Sequence, residues 1–104
     1  MLNRLMGDRK LAQELIHVVR EDVSRKLASL RKLVAENDLT KAELEAHTLK
    51  GAAANVSAGR LQRFAQALQQ AGMASDRKQC SVLLTQLENE FTRLLTAWRL
   101  AGWT

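Results

Sequence analysis

Apolar residues recur at spacings of three and four along most of this chain, and no proline interrupts them. The longest run comprises Leu11, Leu15, Ile16, Val19, Val23, Leu27, Leu30 and Val34. This spacing places its members on one face of a single α-helix. No stretch alternates apolar and polar residues as a half-buried β-strand would. The pattern therefore predicts an all-α protein.

Three short stretches interrupt the periodic pattern and divide it into four helices. They are "ENDLT" at residues 36–40, residues 55–59, and "MAS" at residues 73–75. We predict helices over residues 8–36, 40–55, 58–72 and 75–100. Because the connections are short, neighbouring helices should be antiparallel, and the predicted fold is an up-and-down four-helix bundle. A short apolar turn at residues 2–6, closed by Gly7, predicts an additional N-terminal capping helix.

The residues that flank the predicted helices include several good caps. N-caps are expected at Asp8, Ser57 and Ser75, and Thr40 with Glu43 has the spacing of a capping box. Gly72 is expected to end the third helix in the left-handed conformation that glycine adopts without strain. The chain end around Trp103 is expected to fray.

The length and composition of the chain limit what it can be. Its 104 residues are treated as one domain, residues 1–104. The one cysteine, Cys80, cannot form an internal disulfide and should pack in the core. The chain has no apolar run as long as a membrane span and no signal-peptide pattern, which predicts a cytoplasmic domain without membrane contact. A net charge of +5 suggests an acidic partner, which could be nucleic acid, a membrane surface or an acidic protein pocket.

The most unusual neighbourhood is that of His47, in the stretch "AHTLKGAAAN" of the second predicted helix. If the apolar stripe of that helix faces the core, His47 lies at its edge and points towards solvent. Lys50 and Gly51 follow at i+3 and i+4 and share that face, and Ala54 continues it. The predicted surroundings of the ring are therefore a lysine, a bare stretch of backbone and a methyl group, which a partner could approach closely.

These residue types suit phosphoryl transfer. A histidine side chain is partly unprotonated near pH 7, and the neutral ring is a nucleophile. An ammonium group at Lys50 would stabilise the charge on a transferred phosphoryl group. Between Ala46 and Ser75 the only Asp, Glu, Lys or Arg residues are Lys50, Arg60 and Arg63. An all-basic surface around a histidine favours docking to an acidic pocket, and Arg60 and Arg63 are candidate docking contacts.

The sequence resembles the histidine-containing phosphotransfer (HPt) domains of bacterial phosphorelays, in particular those at the C-terminal ends of hybrid sensor kinases. Their motif is a histidine, a lysine three residues on and a glycine directly after it, as in "AHTLKGAAAN". The similarity covers nearly the whole chain and includes the "GD" entry to the first long helix. The resemblance implies that His47 accepts a phosphoryl group from a receiver-domain aspartate and passes it to another receiver. It also implies that Lys50 holds the phosphate and that Gly51 lets the receiver dock.

Two further positions matter to the resemblance. Family members often carry a glutamine 22 residues after the histidine, near the imidazole, and Gln69 occupies that position here. The family also has a glycine ten residues after the histidine, where this chain has Ser57, with Gly59 two residues later. The turn between the second and third helices is therefore expected to differ locally from that of the family.

The resemblance implies the partners and cofactors as well. The chain has no glycine-rich nucleotide loop, so a phosphocarrier without its own ATP site is expected. No cofactor is expected in the domain, and the receiver's acidic pocket would supply Mg²⁺. The partners would be receiver domains, in the same parent chain or separate, with no nucleic acid. The parent would be a hybrid sensor histidine kinase, which could be an inner-membrane protein, and the domain itself is expected to be monomeric.

Other interpretations remain open at this stage. The chain could be the histidine domain of a chemotaxis-type kinase, phosphorylated by its own ATP-binding domain. It could also be a basic nucleic-acid binder, although its basic residues are spread over all helices and lack interleaved exposed aromatics. A third alternative is an interaction module whose histidine is not phosphorylated. The other histidine, His17, reads as an ordinary flank residue, and two histidines without suitable cysteines or carboxylates do not predict a metal site.

Overall fold

The computed structural model describes residues 8–56 and 58–103, and these residues form four α-helices. The helices are α1 (Arg9–Ala35), α2 (Leu39–Asn55), α3 (Gly59–Met73) and α4 (Arg77–Leu100). No strand occurs among the described residues, so the all-α prediction is confirmed. The observed helix ends differ from the predicted ones by two residues or fewer. The predicted N-terminal capping helix at residues 2–6 lies outside the described residues.

The first and last helices, α1 and α4, are antiparallel, as contacts near their ends show. At one end of the α1/α4 pair, Arg77 donates a hydrogen bond to the carbonyl of Ala35 at 3.0 Å. At the other end of that pair, Arg9 donates to the carbonyl of Gly102 at 2.6 Å. Each helix packs against the next, and α4 closes the ring by packing against α1. The result is the predicted up-and-down four-helix bundle, with principal extents of 43 × 20 × 18 Å.

The core of the bundle is apolar along its length. The largest fully buried side chains are Ile16, Val23, Leu30, Leu49, Leu61, Leu68, Cys80, Leu84 and Leu87. Each fully buried leucine or isoleucine side chain contributes about 1.5–3 kcal/mol relative to an exposed one. Among the described residues no polar or charged residue is fully buried. Cys80 packs in this core as predicted, and burial raises the pKa of its thiol, with a further contribution from the nearby Asp76 carboxylate.

Aspartates cap the start of three helices. Asp8 accepts a hydrogen bond from the backbone N–H of Leu11 at 3.0 Å, as the sequence predicted. The N-cap of α2 is Asp38, not a capping box built on Thr40. The N-cap of α4 is Asp76 and not Ser75.

The third helix starts without such a cap. Its N-cap is Ala58, which makes no side-chain capping bond. Ser57, the predicted cap, lies outside the described residues.

Two of the connections repeat one design. After α1, Asn37 has φ 58°, and the next residue, Asp38, both donates its N–H to Leu33 and caps α2. After α3, Ser75 has φ 55°, and Asp76 donates to Ala71 and caps α4. These bonds define Schellman motifs, in which one left-handed residue follows the helix. Ser75 is therefore the turn residue that reverses the chain, which explains why it cannot be the N-cap.

Gly72 lies inside α3 rather than in the left-handed position predicted for it. It faces α2, where a Cβ atom added to Gly72 would be 3.1 Å from the Cβ of Glu43 and 3.2 Å from the carbonyl oxygen of Leu39. The glycine is therefore required by the close approach of two helices and not by a turn.

Trp103 packs onto the bundle beside α1, contrary to the expectation that it frays. Trp103 is half-buried and packs against the core, and the guanidinium of Arg9 lies 4.8 Å from the centre of its ring. Gly102, with φ 80°, occupies the left-handed position of a third Schellman motif, which turns Trp103 back onto the bundle.

Candidate functional site

The side of α2 that faces the core determines that His47 lies on the surface. Ala46, Leu49 and Ala53 are completely buried, so these three positions fix which side of α2 faces the core. His47 is exposed, as the sequence predicted. The alanine and leucine side chains of that face fill the core side of α2, so the adjacent position 47 points away from the core.

Lys50, Gly51 and Ala54 lie on the same side of α2 as His47. Lys50 is half-buried, as expected for a lysine whose aliphatic stem packs along the protein surface. Gly51 and Ala54 are exposed. Within the described parts of the chain, neither His47 nor Lys50 forms a hydrogen bond or ion pair with another side chain. Neither side chain is therefore engaged by the described part of the bundle.

Gly51 has no role in packing. A Cβ atom added to it would meet nothing within 4 Å. A glycine inside a helix costs about 0.5–1 kcal/mol relative to alanine, because it loses more backbone freedom on folding. The packing of residues 8–56 and 58–103 therefore gains nothing from Gly51. What the glycine does provide is clearance beside His47 for something that approaches from outside.

The register between α2 and α3 sets the position of Gln69. Gly72 lies opposite Leu39 and Glu43, and the two helices are antiparallel. Gln69 lies about one turn before Gly72 on α3, and His47 lies about one turn after Glu43 on α2. Because the helices are antiparallel, the two residues lie at a similar height along the bundle. Gln69 is half-buried and makes no hydrogen bond to the imidazole. The register is compatible with the predicted position of Gln69 near the imidazole, and both that position and its role stay predictions.

The two basic candidates on α3 differ in their surroundings. The Nε atom of Arg60 lies 3.3 Å from a carboxylate oxygen of Glu90 on α4, whose side chain is only 10% exposed. Arg93 contacts the same carboxylate at 3.2 Å. Arg60 is thus held towards α4, whereas Arg63 is exposed and forms no ion pair within the described ranges. Of the two, Arg63 is the freer to contact a partner.

The sequence interpretation missed Leu44. This residue precedes His47 by three positions and is 63% exposed. It also borders an open groove of about 340 Å³ between α1 and α2, which is lined by Ser29, Leu33, Lys41, Leu44, Glu45 and Thr48. A signal was available, because Leu44 falls outside the buried stripe of α2 and is a leucine at a position that faces water.

Two results concern metals and membranes. The described residues contain no group of three or more His, Cys, Asp or Glu side chains placed to hold a metal ion. Among the helices of residues 8–56 and 58–103, none combines the length and apolar character needed to cross a bilayer.

Comparisons with known proteins agree with this geometry. The family model of the Hpt domain matches residues 14–97. A solved structure from rice, described as a histidine-containing phosphotransfer protein, superposes with a TM-score of 0.87 at 21% identity, covering 95% of this chain and 72% of the rice chain. A histidine-containing phosphotransfer protein from maize gives a TM-score of 0.86 at 24% identity, covering 96% and 74% of the two chains. No curated protein matches the sequence.

The region that the family model matches includes the whole candidate site. His47, Lys50, Gly51 and Gln69 all fall within residues 14–97, whereas Trp103 falls outside them. At these identities the two plant structures establish the shared bundle fold, while the family model identifies the type of domain.

Proposed function

The chain belongs to the Hpt family of phosphorelay intermediates, and we propose that His47 is the residue that carries its phosphoryl group. The observation that carries this proposal is the open space at Gly51, where a Cβ atom would meet nothing within 4 Å. A helix interior that retains a glycine without any packing need for it favours a partner that approaches the neighbouring ring. His47 is also the one histidine with a lysine on the same helix face one turn away.

The transfer is a substitution at phosphorus. An unprotonated nitrogen of the His47 ring attacks the phosphorus of a receiver's aspartyl phosphate, and a nitrogen–phosphorus bond forms. The phosphorus–oxygen bond to the aspartate breaks, and its electron pair stays on the released carboxylate. The reverse reaction passes the group to a second receiver, so each transfer is stoichiometric and needs no nucleotide at this domain.

Lys50 and Gln69 are proposed to assist the reaction from two helices. The ammonium of Lys50 balances the negative charge of the phosphoryl oxygens, both during transfer and in the phosphohistidine. Gln69 can hydrogen-bond to the ring or to a phosphoryl oxygen from α3. Mg²⁺, held in the acidic pocket of the receiver, would supply further charge neutralisation.

Hpt domains interact with receiver domains, and we propose that the receiver covers the outer surface of α2. Gly51 and Ala54 would allow close approach, Leu44 would supply an apolar contact, and Arg63 would face acidic groups of the receiver. Arg60 contributes less in this proposal, because Glu90 already holds it. We further propose a monomeric, cytoplasmic domain that serves receivers in a hybrid sensor kinase, in separate proteins, or both.

Transfer from a receiver phosphorylated by a small phosphodonor tests the proposal. The wild-type domain should acquire a label that is labile in acid and stable in base, and His47→Gln should acquire none. His17→Gln is the matched control, because His17 is the other histidine of the chain and is also exposed on a helix. It should be labelled like the wild type. Equal labelling of the wild type and His47→Gln would overturn the assignment.

A further inference from the structure

A second surface lies between α1 and α4, away from His47. We name it the α1/α4 groove and define it by His17 and Arg20 on α1, Leu95 and Arg99 on α4, and Trp103. It consists of two adjoining depressions of about 340 and 230 Å³ that share Arg20. Arg20 therefore borders both depressions, and a single ligand that contacts Arg20 could reach either of them.

The charge of the groove has one sign. No carboxylate lines either depression, and two guanidinium groups, those of Arg20 and Arg99, border the same one. In the described structure neither arginine forms an ion pair. Other arginines between helices do form one: Arg31 pairs with Glu88, and Arg60 pairs with Glu90. The guanidinium groups of Arg20 and Arg99 are therefore available to bind an anionic group of a partner.

The groove also has an apolar component that is held in place. Leu95 and Trp103 are half-buried and pack against the core. Trp103 is fixed because Arg9 lies over its ring and the carbonyl of Gly102 accepts hydrogen bonds from Arg9 and, at 3.3 Å, from Gln13. A ligand that binds here meets a preformed wall, which lowers the entropic cost of binding.

The groove and the His47 surface are on different helices. His47, Lys50 and Gly51 belong to α2, whereas the groove is formed by α1, α4 and the residues after α4. Its depressions lie towards the start of α1 and the end of α4, near the Arg9–Gly102 contact. A partner in the groove would therefore leave the outer surface of α2 free for a receiver.

We propose that the α1/α4 groove binds an acidic protein segment that brings at least two carboxylates to Arg20 and Arg99 and an apolar side chain to Leu95 and Trp103. The charge and the apolar wall together favour such a segment over nucleic acid. Glu14 and Glu21 are exposed on α1, next in sequence to Gln13 and Arg20, and would repel a long polymer of evenly spaced phosphates, whereas a short segment can place its carboxylates only at Arg20 and Arg99. This inference does not depend on the phosphoryl acceptor.

Binding of a short fluorescent peptide with glutamates and leucines at helical spacing tests the proposal by anisotropy. Arg20→Glu/Arg99→Glu should weaken binding about tenfold or more, since each reversal replaces attraction by repulsion. The matched control is Lys32→Glu/Lys78→Glu, which makes the same change in net charge at exposed positions near the other end of the α1/α4 pair. It should bind the peptide almost as the wild type does.

Three further measurements make the test specific. Trp103→Ala should also weaken binding of the peptide, because it removes the apolar wall while the net charge is unchanged. Circular dichroism and receiver transfer should remain normal in Arg20→Glu/Arg99→Glu, which separates loss of the groove from loss of the fold.

Equal weakening by both charge-reversal pairs, or no effect of either, would overturn the proposal. Tighter binding of duplex DNA than of the peptide, lost in Arg20→Glu/Arg99→Glu, would assign the groove to nucleic acid instead.

Discussion

Two glycines inside helices, Gly51 and Gly72, have opposite surroundings. Gly51 on α2 faces open space, whereas Gly72 on α3 lies against the backbone of α2, with Glu43 and Leu39 within 3.3 Å of a Cβ atom added there. Glycine costs a helix about the same at both positions. At Gly72 the cost is offset by close packing within the domain. At Gly51 no contact in the described part of the domain offsets it, which fits the proposed approach of a partner.

The largest expected effect comes from adding a side chain at Gly51. Gly51→Leu should slow transfer from a receiver about a hundredfold, because a bulky group beside His47 displaces the two reacting groups from each other. Its free energy of unfolding should equal or exceed that of the wild type, because leucine is a better helix former. Stopped-flow transfer and urea unfolding measure the two quantities.

Gly51→Ala is the matched, milder change at this position. It should raise the free energy of unfolding by about 0.5–1 kcal/mol and slow transfer less than leucine does. If Gly51→Leu transferred at the wild-type rate, the glycine would have no role in docking, and the contrast with Gly72 would fail.

The second-largest expected effect is a loss of stability on substitution of Gly72. Gly72→Ala should lower the free energy of unfolding by about 1–2 kcal/mol, because the new methyl group meets the Cα and Cβ of Glu43 and the carbonyl of Leu39, which no side-chain rotation can move. Urea unfolding followed by circular dichroism measures it. The folded variant should still accept a phosphoryl group on His47. A Gly72→Ala protein more stable than the wild type would show that the two helices separate easily.

The smallest effect concerns the residue that does end α3. Ser75→Gly should raise the free energy of unfolding by about 0.5–1 kcal/mol, since a left-handed backbone strains any residue with a Cβ atom and Ser75 has φ 55°. The cap made by Asp76 would stay in place. Thermal unfolding of Ser75→Gly beside Gly72→Ala sharpens the contrast, because the two changes should shift the midpoint in opposite directions. A lower midpoint for Ser75→Gly would contradict this account of the turn.

Local signals in the sequence predicted much of the fold and the surface position of the central site residue. The periodic apolar stripes gave all four helices, and the buried stripe of α2 was enough to place His47 at the surface. The cap at Asp8 can be predicted from the sequence, because no other capping residue lies directly before that helix. In "NDLT" and "SD" several neighbouring residues can cap, and the sequence interpretation chose Thr40 and Ser75 over Asp38 and Asp76. The choice depends on which residue turns the chain, and the propensities of the individual residues do not determine this.

The remaining features depend on residues far apart in the chain. Gly72 looks like a helix end in sequence, and only the spacing between α2 and α3 shows that it is a packing residue. The pair of Arg60 with Glu90 joins residues thirty positions apart, which no local pattern indicates. The contact of Arg9 with Trp103 joins the two ends of the described chain and orders a residue expected to fray.

The sequence by itself determined the helices, their inward faces and the placement of His47, Lys50 and Gly51 on one side of α2, because these follow from periodicity and spacing within one helix. The tertiary structure decided which glycine packs and which stays open, which arginines are paired, and which surfaces remain for partners. The physical reason is that these properties depend on distances between helices, and those distances result from the packing of all four helices together.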